Sequence, residues 1–251
     1  VARFLVAQGY LVSYLNPKQI HAFARIQLHH NKTDKQDAQL IAHYCAMYRP
    51  DPWKPESALQ QQLQQRSRRL KSLQKMQQQE QNRLQSGITD DFVLEQIHAT
   101  IAYFQTLIDQ TQQAINDLIQ QHAILKQQQQ LLTTIPGIGK RTAQTLLAEV
   151  NIHHFQSARQ LAAYLGITPQ HYQSGTSVRK RSSISKQGNA NLRAALYMPA
   201  IVAKRYNLPC HALALRLDAK HKPGKVVILA VMRKLIHQVY GVLKSGVPFD
   251  P

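Results

Sequence analysis

Ser174 and Gly175 lie between two helix-like stretches, and Arg179, Lys180, Arg181, Lys186 and Arg193 follow without an intervening acid. A serine beside a flexible glycine, in a field of cations, suits a nucleophile directed at a phosphodiester. Arg and Lys can hold the phosphate and stabilise the charge that builds on it. The same residues also read as a loop serine and a solvated basic face. Their types and spacing alone leave both readings standing.

Two further groups could do chemistry. Asp34 and Asp37 are three residues apart at the start of a helix-like run, so both carboxylates share a face and could present oxygens to a divalent metal. Acids in a first helical turn also simply favour the helix dipole. The run Ile135-Pro136-Gly137-Ile138-Gly139-Lys140-Arg141 resembles a helix-hairpin-helix turn. There Gly137 and Gly139 allow close backbone approach, the amides of the next helix face a phosphate, and Lys140 and Arg141 add charge. The competing reading is a tight turn between packed helices. His153 and His154 have no Cys or acid at ligand spacing and read as structural or solvated.

The elements that must position these groups can be read in order. Ala2 to Gly9 reads as a helix stopped by glycine, and Tyr10 to Leu15 as a short β-like run closed by Asn16-Pro17. Lys18 to Arg25 reads as another helix, and Thr33 as the cap of a helix over Asp34 to Tyr48. Pro50, Pro52 and Pro55 mark a stiff boundary. Leu59 to Leu84 and the run from Leu94 to Leu125 carry apolar residues at heptad-like steps around Ser86-Gly87, which predicts an antiparallel helical hairpin. Its cleaner seam, Ile97, Ile101, Phe104, Ile108 and Ile115, is expected to mediate association. Gln127 to Gln130 is expected as a second boundary. Downstream, Ala158 to Leu165, Asn189 to Lys204 and Val226 to Leu243 read as helices.

The chain has 251 residues, 31 Lys+Arg against 13 Asp+Glu, and a formal charge of +18. From Leu131 onward, 17 Lys+Arg face three acids, Glu149, Asp218 and Asp250. That imbalance implies a polyanionic partner. With no run judged long enough to span a bilayer, nucleic acid is expected rather than membrane. Cys45 and Cys210 are isolated, which fits a reduced, cytoplasmic, nucleoid-associated protein.

The ordered set of motifs is similar to the DEDD-type insertion-sequence transposases, the family of the Piv DNA invertase. KTDKQDAQLIA at Lys32 to Ala42 resembles the second acidic pair of that family's RuvC-like domain. The GITP run, the Ser174-Gly175 pair, ISKQGNANLRAALYMPA and the tail from Gly224 resemble its C-terminal transposase domain. The resemblance implies a mainly α chain. Residues 1–54 would be the C-terminal remnant of an RNase H/RuvC-like α/β domain, 55–128 a helical hairpin, and 129–251 an all-helical, serine-containing domain. It implies a composite active site in which Asp34 and Asp37 help hold Mg²⁺ while Ser174 attacks DNA. It also implies DNA and a structured guide RNA as partners, and a homo-oligomer, dimer or tetramer. The family's first Asp and its Glu find no counterpart between Val1 and Thr33, where no residue is acidic. The chain is therefore expected to be an inactive fragment. The alternatives are a metal-dependent nuclease of the Holliday-junction-resolvase kind and a non-catalytic nucleic-acid-binding remnant.

Overall fold

The computed structural model describes residues 1–28, 33–170, 173–174, 178–179, 183–185 and 187–251. Lys180, Arg181 and Lys186 lie outside the described residues. The chain divides into two compact units, Val1–Ser57 and Ala58–Pro251.

The first unit holds α1 (Ala2–Ala7), α2 (Pro17–Ile26) and α3 (Asp34–Tyr48). Gly9 ends the first helical stretch at φ +85°. Asn16 and Gln19 form a reciprocal capping box on α2, with Pro17 in the first turn, where its missing N–H costs nothing. Phe23 of α2 is buried, edge-on to His43, Tyr44 and Tyr48 of α3. Tyr10 to Leu15, expected as a β-run, forms no strand. A strand needs a ladder. Here Trp53 N–H donates to Val12 C=O, and Ser13 Oγ to Pro50 C=O, so the partner is a proline-rich segment poor in N–H donors.

The second unit opens with the expected hairpin, α4 (Ala58–Leu84) and α5 (Asp91–Gln121). Gly87 turns it at φ +82°, and Asp90 caps α5 by accepting from Val93 N–H. The seam closes internally. Ile97, Ile108 and Ile115 are buried with Leu63 and Leu73 of α4 packed across from them. Ile101 and Phe104 of the same seam stay half-buried. Polar residues on the seam are satisfied across it: Arg66 Nη1 donates to Ala114 C=O at 2.6 Å, and Gln77 Nε2 to Gln105 Oε1 at 2.9 Å.

No break follows at 127–130. This stretch lies inside α6 (Ala123–Thr133), and Gln129 is buried. The base of the hairpin shares one core with the rest of the unit, since Leu63, Ile115, Leu118 and Ile119 cluster with residues as distant as Val239. Next come α7 (Lys140–Glu149), a 3-10 turn at Ile152–His154, and α8 (Ala158–Tyr164). Among the described residues, four two-residue strands follow: β1 (Pro169–Gln170), β2 (Gln173–Ser174), β3 (Val178–Arg179) and β4 (Ser183–Ile184).

The chain closes with α9 (Ala190–Ala195), α10 (Tyr197–Tyr206), α11 (Leu208–Asp218) and α12 (Gly224–Ser245). The single helix expected from Asn189 to Lys204 is therefore two. Pro199 cannot donate to Ala195, and α10 restarts so that the proline falls in its first turn. Helix α12 also corrects an expectation, because it is long and apolar enough to cross a bilayer. Its apolar residues have another use: Val227, Val231, Met232, Leu235, Ile236, Val239 and Val242 are buried against neighbouring helices.

Candidate catalytic and nucleic-acid site

The Ser174 region is an excursion of the chain with a closed neck. The chain leaves α8 at Gly166 and returns at Gly188. Asn189 N–H donates to Tyr164 C=O at 2.9 Å, joining the two ends. Both glycines are required by close approach. At Gly188 (φ +147°) a Cβ would collide with the Tyr164 carbonyl oxygen; at Gly166 (φ +70°) it would lie 2.9 Å from Gln187 O and Arg193 Nη1. Arg193 Nη1 donates to Leu165 C=O at 2.8 Å. Arg193, expected to face phosphate, thus has one of its donors engaged at the neck.

Beyond the neck, β1 pairs antiparallel with β4 (Pro169 with Ile184, Gln170 with Ser183), and Ser185 N–H donates to Thr168 C=O. Further out, β2 pairs with β3. Ser174 lies opposite Val178, and Arg179 opposite Gln173. Ser174 and Arg179 are therefore one register position apart on the outer ladder.

The glycine turn separates two functions that the sequence could not. Gly137 has φ +104°, and a Cβ there would lie 2.8 Å from Ala203 Cβ and 2.9 Å from Pro199 O. The close approach it permits is to α10, inside the protein. Gly139 is different: it is exposed, has an ordinary φ of −85°, and no atom lies within 4 Å of a Cβ built on it. It begins α7 without a side-chain cap, and Lys140 and Arg141 beside it are exposed. Uncapped first-turn amides flanked by two cations are suited to an anionic oxygen.

In the first unit, Thr33 Oγ1 accepts from Gln36 N–H at 3.3 Å and caps α3, so the backbone need not draw on the acids. Asp34 is exposed. Asp37 is half-buried and lines a cleft of about 420 Å³ with Ser13, His21 and Leu40. Among the described residues neither acid forms an ion pair. Nor do the described residues contain a cluster of three or more His, Cys, Asp or Glu able to hold an ion. Two hard carboxylates on one helical turn fit a magnesium-like cation that keeps several of its waters. His153 and His154 are exposed on the 3-10 turn, where Asn151 Oδ1 accepts from His153 N–H.

Two groups, buried Cys210 and half-buried His237, titrate away from their ordinary values. Burial pushes the Cys210 thiol up to about 11 against the opposing pull of Lys234, so it stays protonated and inert. Burial, then the charges of Arg233, Lys234 and Arg159, holds the His237 imidazole below its ordinary value.

Sequence reasoning missed Glu149. Its carboxylate accepts from Arg68 Nε at 2.9 Å, from Arg68 Nη2 at 3.0 Å and from Asn189 Nδ2 at 3.0 Å. The signal was present, since Glu149 is the sole acid between Leu131 and Leu217. A lone acid in so basic a stretch has a partner to satisfy.

Residues 129–214 match a family model described as the Transposase IS116/IS110/IS902 family, and residues 1–98 match a second model, of the DEDD IS110 type, described as Transposase. The pilin gene-inverting proteins of Moraxella bovis and Moraxella lacunata are each 36% identical over 256 residues, covering 100% of this chain and 78% of theirs. A putative transposase, y4rJ, of Sinorhizobium fredii is 34% identical over 126 residues, covering 48% of this chain and 31% of its own. The chain belongs to the IS110-type transposase family.

Proposed function

We propose that this chain is part of a DNA recombinase in which Ser174 attacks a DNA phosphodiester and holds one strand end covalently, and that without the family's first Asp and its Glu it is inactive by itself. The observation that carries this reading is the placement of Ser174 on a short ladder beside Arg179, beyond a neck closed by Gly166, Gly188 and Arg193. Support also comes from the name of the Moraxella relatives, since gene inversion is a rearrangement of DNA.

In this mechanism the bond from Ser174 Oγ to phosphorus forms as a DNA oxygen leaves. The serine proton passes to a base, and the leaving oxygen takes up a proton. Arg179, with Lys180, Arg181 and Lys186, neutralises charge on the phosphate. Asp34 and Asp37 would hold Mg²⁺, which when bound polarises the phosphate and lowers the cost of deprotonating serine. The helix-hairpin-helix-like turn contacts the backbone through Gly139, Lys140 and Arg141, whereas Gly137 supports the turn from inside. From the family resemblance we further infer a structured guide RNA as a second nucleic-acid partner. Joining two DNAs calls for more than one copy of the chain.

The test is covalent trapping on a DNA substrate that cannot religate. In a protein that also supplies the family's first Asp and its Glu, an adduct is expected with Mg²⁺, and Ser174→Ala is expected to form none; the 251 residues without those acids are expected to form none either. Cleavage by Ser174→Ala without an adduct would instead identify a water-using nuclease. Binding without cleavage by any serine-containing form would leave a nucleic-acid-binding protein.

A further inference from the structure

We infer that Glu149 is a positioning residue that couples the seating of α4 to the exit of the Ser174 excursion. The inference deepens the reading of Ser174 as nucleophile and takes its functional meaning from it. Glu149 is the one buried charged residue among those described, with 3% of its side chain exposed. A buried carboxylate is tolerated when its lone pairs are taken, and three hydrogen bonds of 2.9 to 3.0 Å take them.

The partners come from three places in the chain. Glu149 ends α7. Arg68 belongs to α4 and grips both carboxylate oxygens. Asn189 is the residue at which the excursion re-enters the helical domain. Its Oδ1 caps α9 by accepting from Asn191 N–H and Leu192 N–H, and its backbone N–H closes the neck on Tyr164 C=O. One side chain thus ties the hairpin to the residue that fixes where the loop ends.

Two neighbours of Arg68 reinforce the seat. Gln60 Nε2 donates to Leu147 C=O at 2.7 Å and Ala148 C=O at 3.1 Å, satisfying end carbonyls of α7. Lys71 Nζ donates to Asn191 Oδ1 at 2.6 Å. Gln60, Arg68 and Lys71 are spaced eight and three residues apart, which is one stripe of a helix. A shift of α4 along this stripe pulls on α7 and on the α9 cap together. The cleft between them, about 370 Å³, is lined by Arg68, Lys71, Thr145, Glu149, Asn191 and Ala195 and leaves room for such movement.

The experiment is residue-resolved hydrogen exchange on the full chain, read at the neck amides of Ile167, Ser185 and Asn189. Arg68→Gln and Glu149→Gln should each raise exchange there by about fivefold or more, because each removes charge-assisted hydrogen bonds. Arg68→Lys should recover part of the protection. The double variant should be no worse than either single one, as for residues acting as a unit. Arg83→Gln, which breaks the Arg83–Glu80 pair near the hairpin tip, serves as the control and should leave the neck unchanged. Neck exchange unaltered by both single variants, effects that add in the double variant, or a rise spread evenly over α10 to α12 would each overturn the inference. This readout does not depend on the serine's chemistry. An adduct formed by Ser174→Ala would sink the nucleophile reading while leaving the exchange result standing. With that reading intact, Arg68→Gln in a protein that also supplies the family's first Asp and its Glu should lower adduct yield about fivefold or more without abolishing it.

Discussion

Asp34 and Asp37 stand on a unit in which Phe23 and Leu40 are the buried apolar side chains among the described residues. The excursion carrying Ser174 is rooted in a unit with one continuous core from Leu63 to Val242. In the first unit, position is set locally, by the Thr33 cap and by aromatic edges around Phe23. In the second it is set by contacts distant in sequence: Gly188 on Tyr164, Arg193 on Leu165, and Glu149 on Arg68 and Asn189. Acids that can gather a hydrated cation tolerate loose placement better than an oxygen that must meet phosphorus in line.

The sharpest way to break this comparison is through the glycines. Gly188→Ala forces a Cβ into the Tyr164 carbonyl at a φ that L residues rarely adopt, and should destabilise the second unit by about 3 kcal/mol or more. Gly137→Val should do the same through α10. Gly139→Ala, with open space around it, should change thermal stability by less than about 0.5 kcal/mol. Equal effects at Gly139 and Gly188 would remove the distinction between the packed neck and the open turn.

The two units should also melt differently. Phe23→Ala should cost the first unit about 3 kcal/mol and leave the melting of the second unit in place. Calorimetry separates the cases, and a single transition shifted as a whole would contradict independent stabilisation.

Much of this architecture was legible in the residues. Thr33 before Asp34 located α3, and the spacing of Ile97, Ile101, Phe104, Ile108 and Ile115 located α5. What that spacing could not reveal was the partner of the seam, since an apolar stripe fits α4 of the same chain as well as a second copy. Tyr10 to Leu15 has strand-like residues, yet strand formation depends on a ladder supplied from elsewhere. Pro199 was visible, but whether it kinks a helix or begins a new one depends on Leu196 and Ala200 both being buried. The apolar content of α12 looked unremarkable until it formed one unbroken helix, whose burial explains its composition. Gly137 and Gly139 look alike in sequence, and only the position of α10 distinguishes them. At the candidate site, the residue types were readable, whereas the neck and Glu149 depend on contacts across dozens of residues.

Smaller effects test the outer surface. Binding of nucleic acid should weaken nearly linearly in log affinity against log salt, and Lys140→Ala and Arg141→Ala should each lower the slope by about one. A flat salt response would remove the nucleic-acid reading of this basic unit. The smallest effect concerns His237, whose folded imidazole titrates below its ordinary 6.5. The unfolded chain takes up that proton first, so this contribution to stability is complete above 6.5 and is lost as pH falls below it. Melting temperatures followed downward from pH 7.5 should fall less steeply for His237→Phe than for the wild type. Parallel profiles would show that His237 does not contribute.

The most direct measurement is peptide mapping of the trapped protein–DNA adduct by mass spectrometry. Ser177, Ser182, Ser183 and Ser185 lie close to Ser174 in sequence and offer the same chemistry. The assignment of Ser174 as nucleophile predicts a nucleotide-bearing phosphate on Ser174 and on none of these neighbours. The phosphate found on another serine, with Ser174 unmodified, would contradict it.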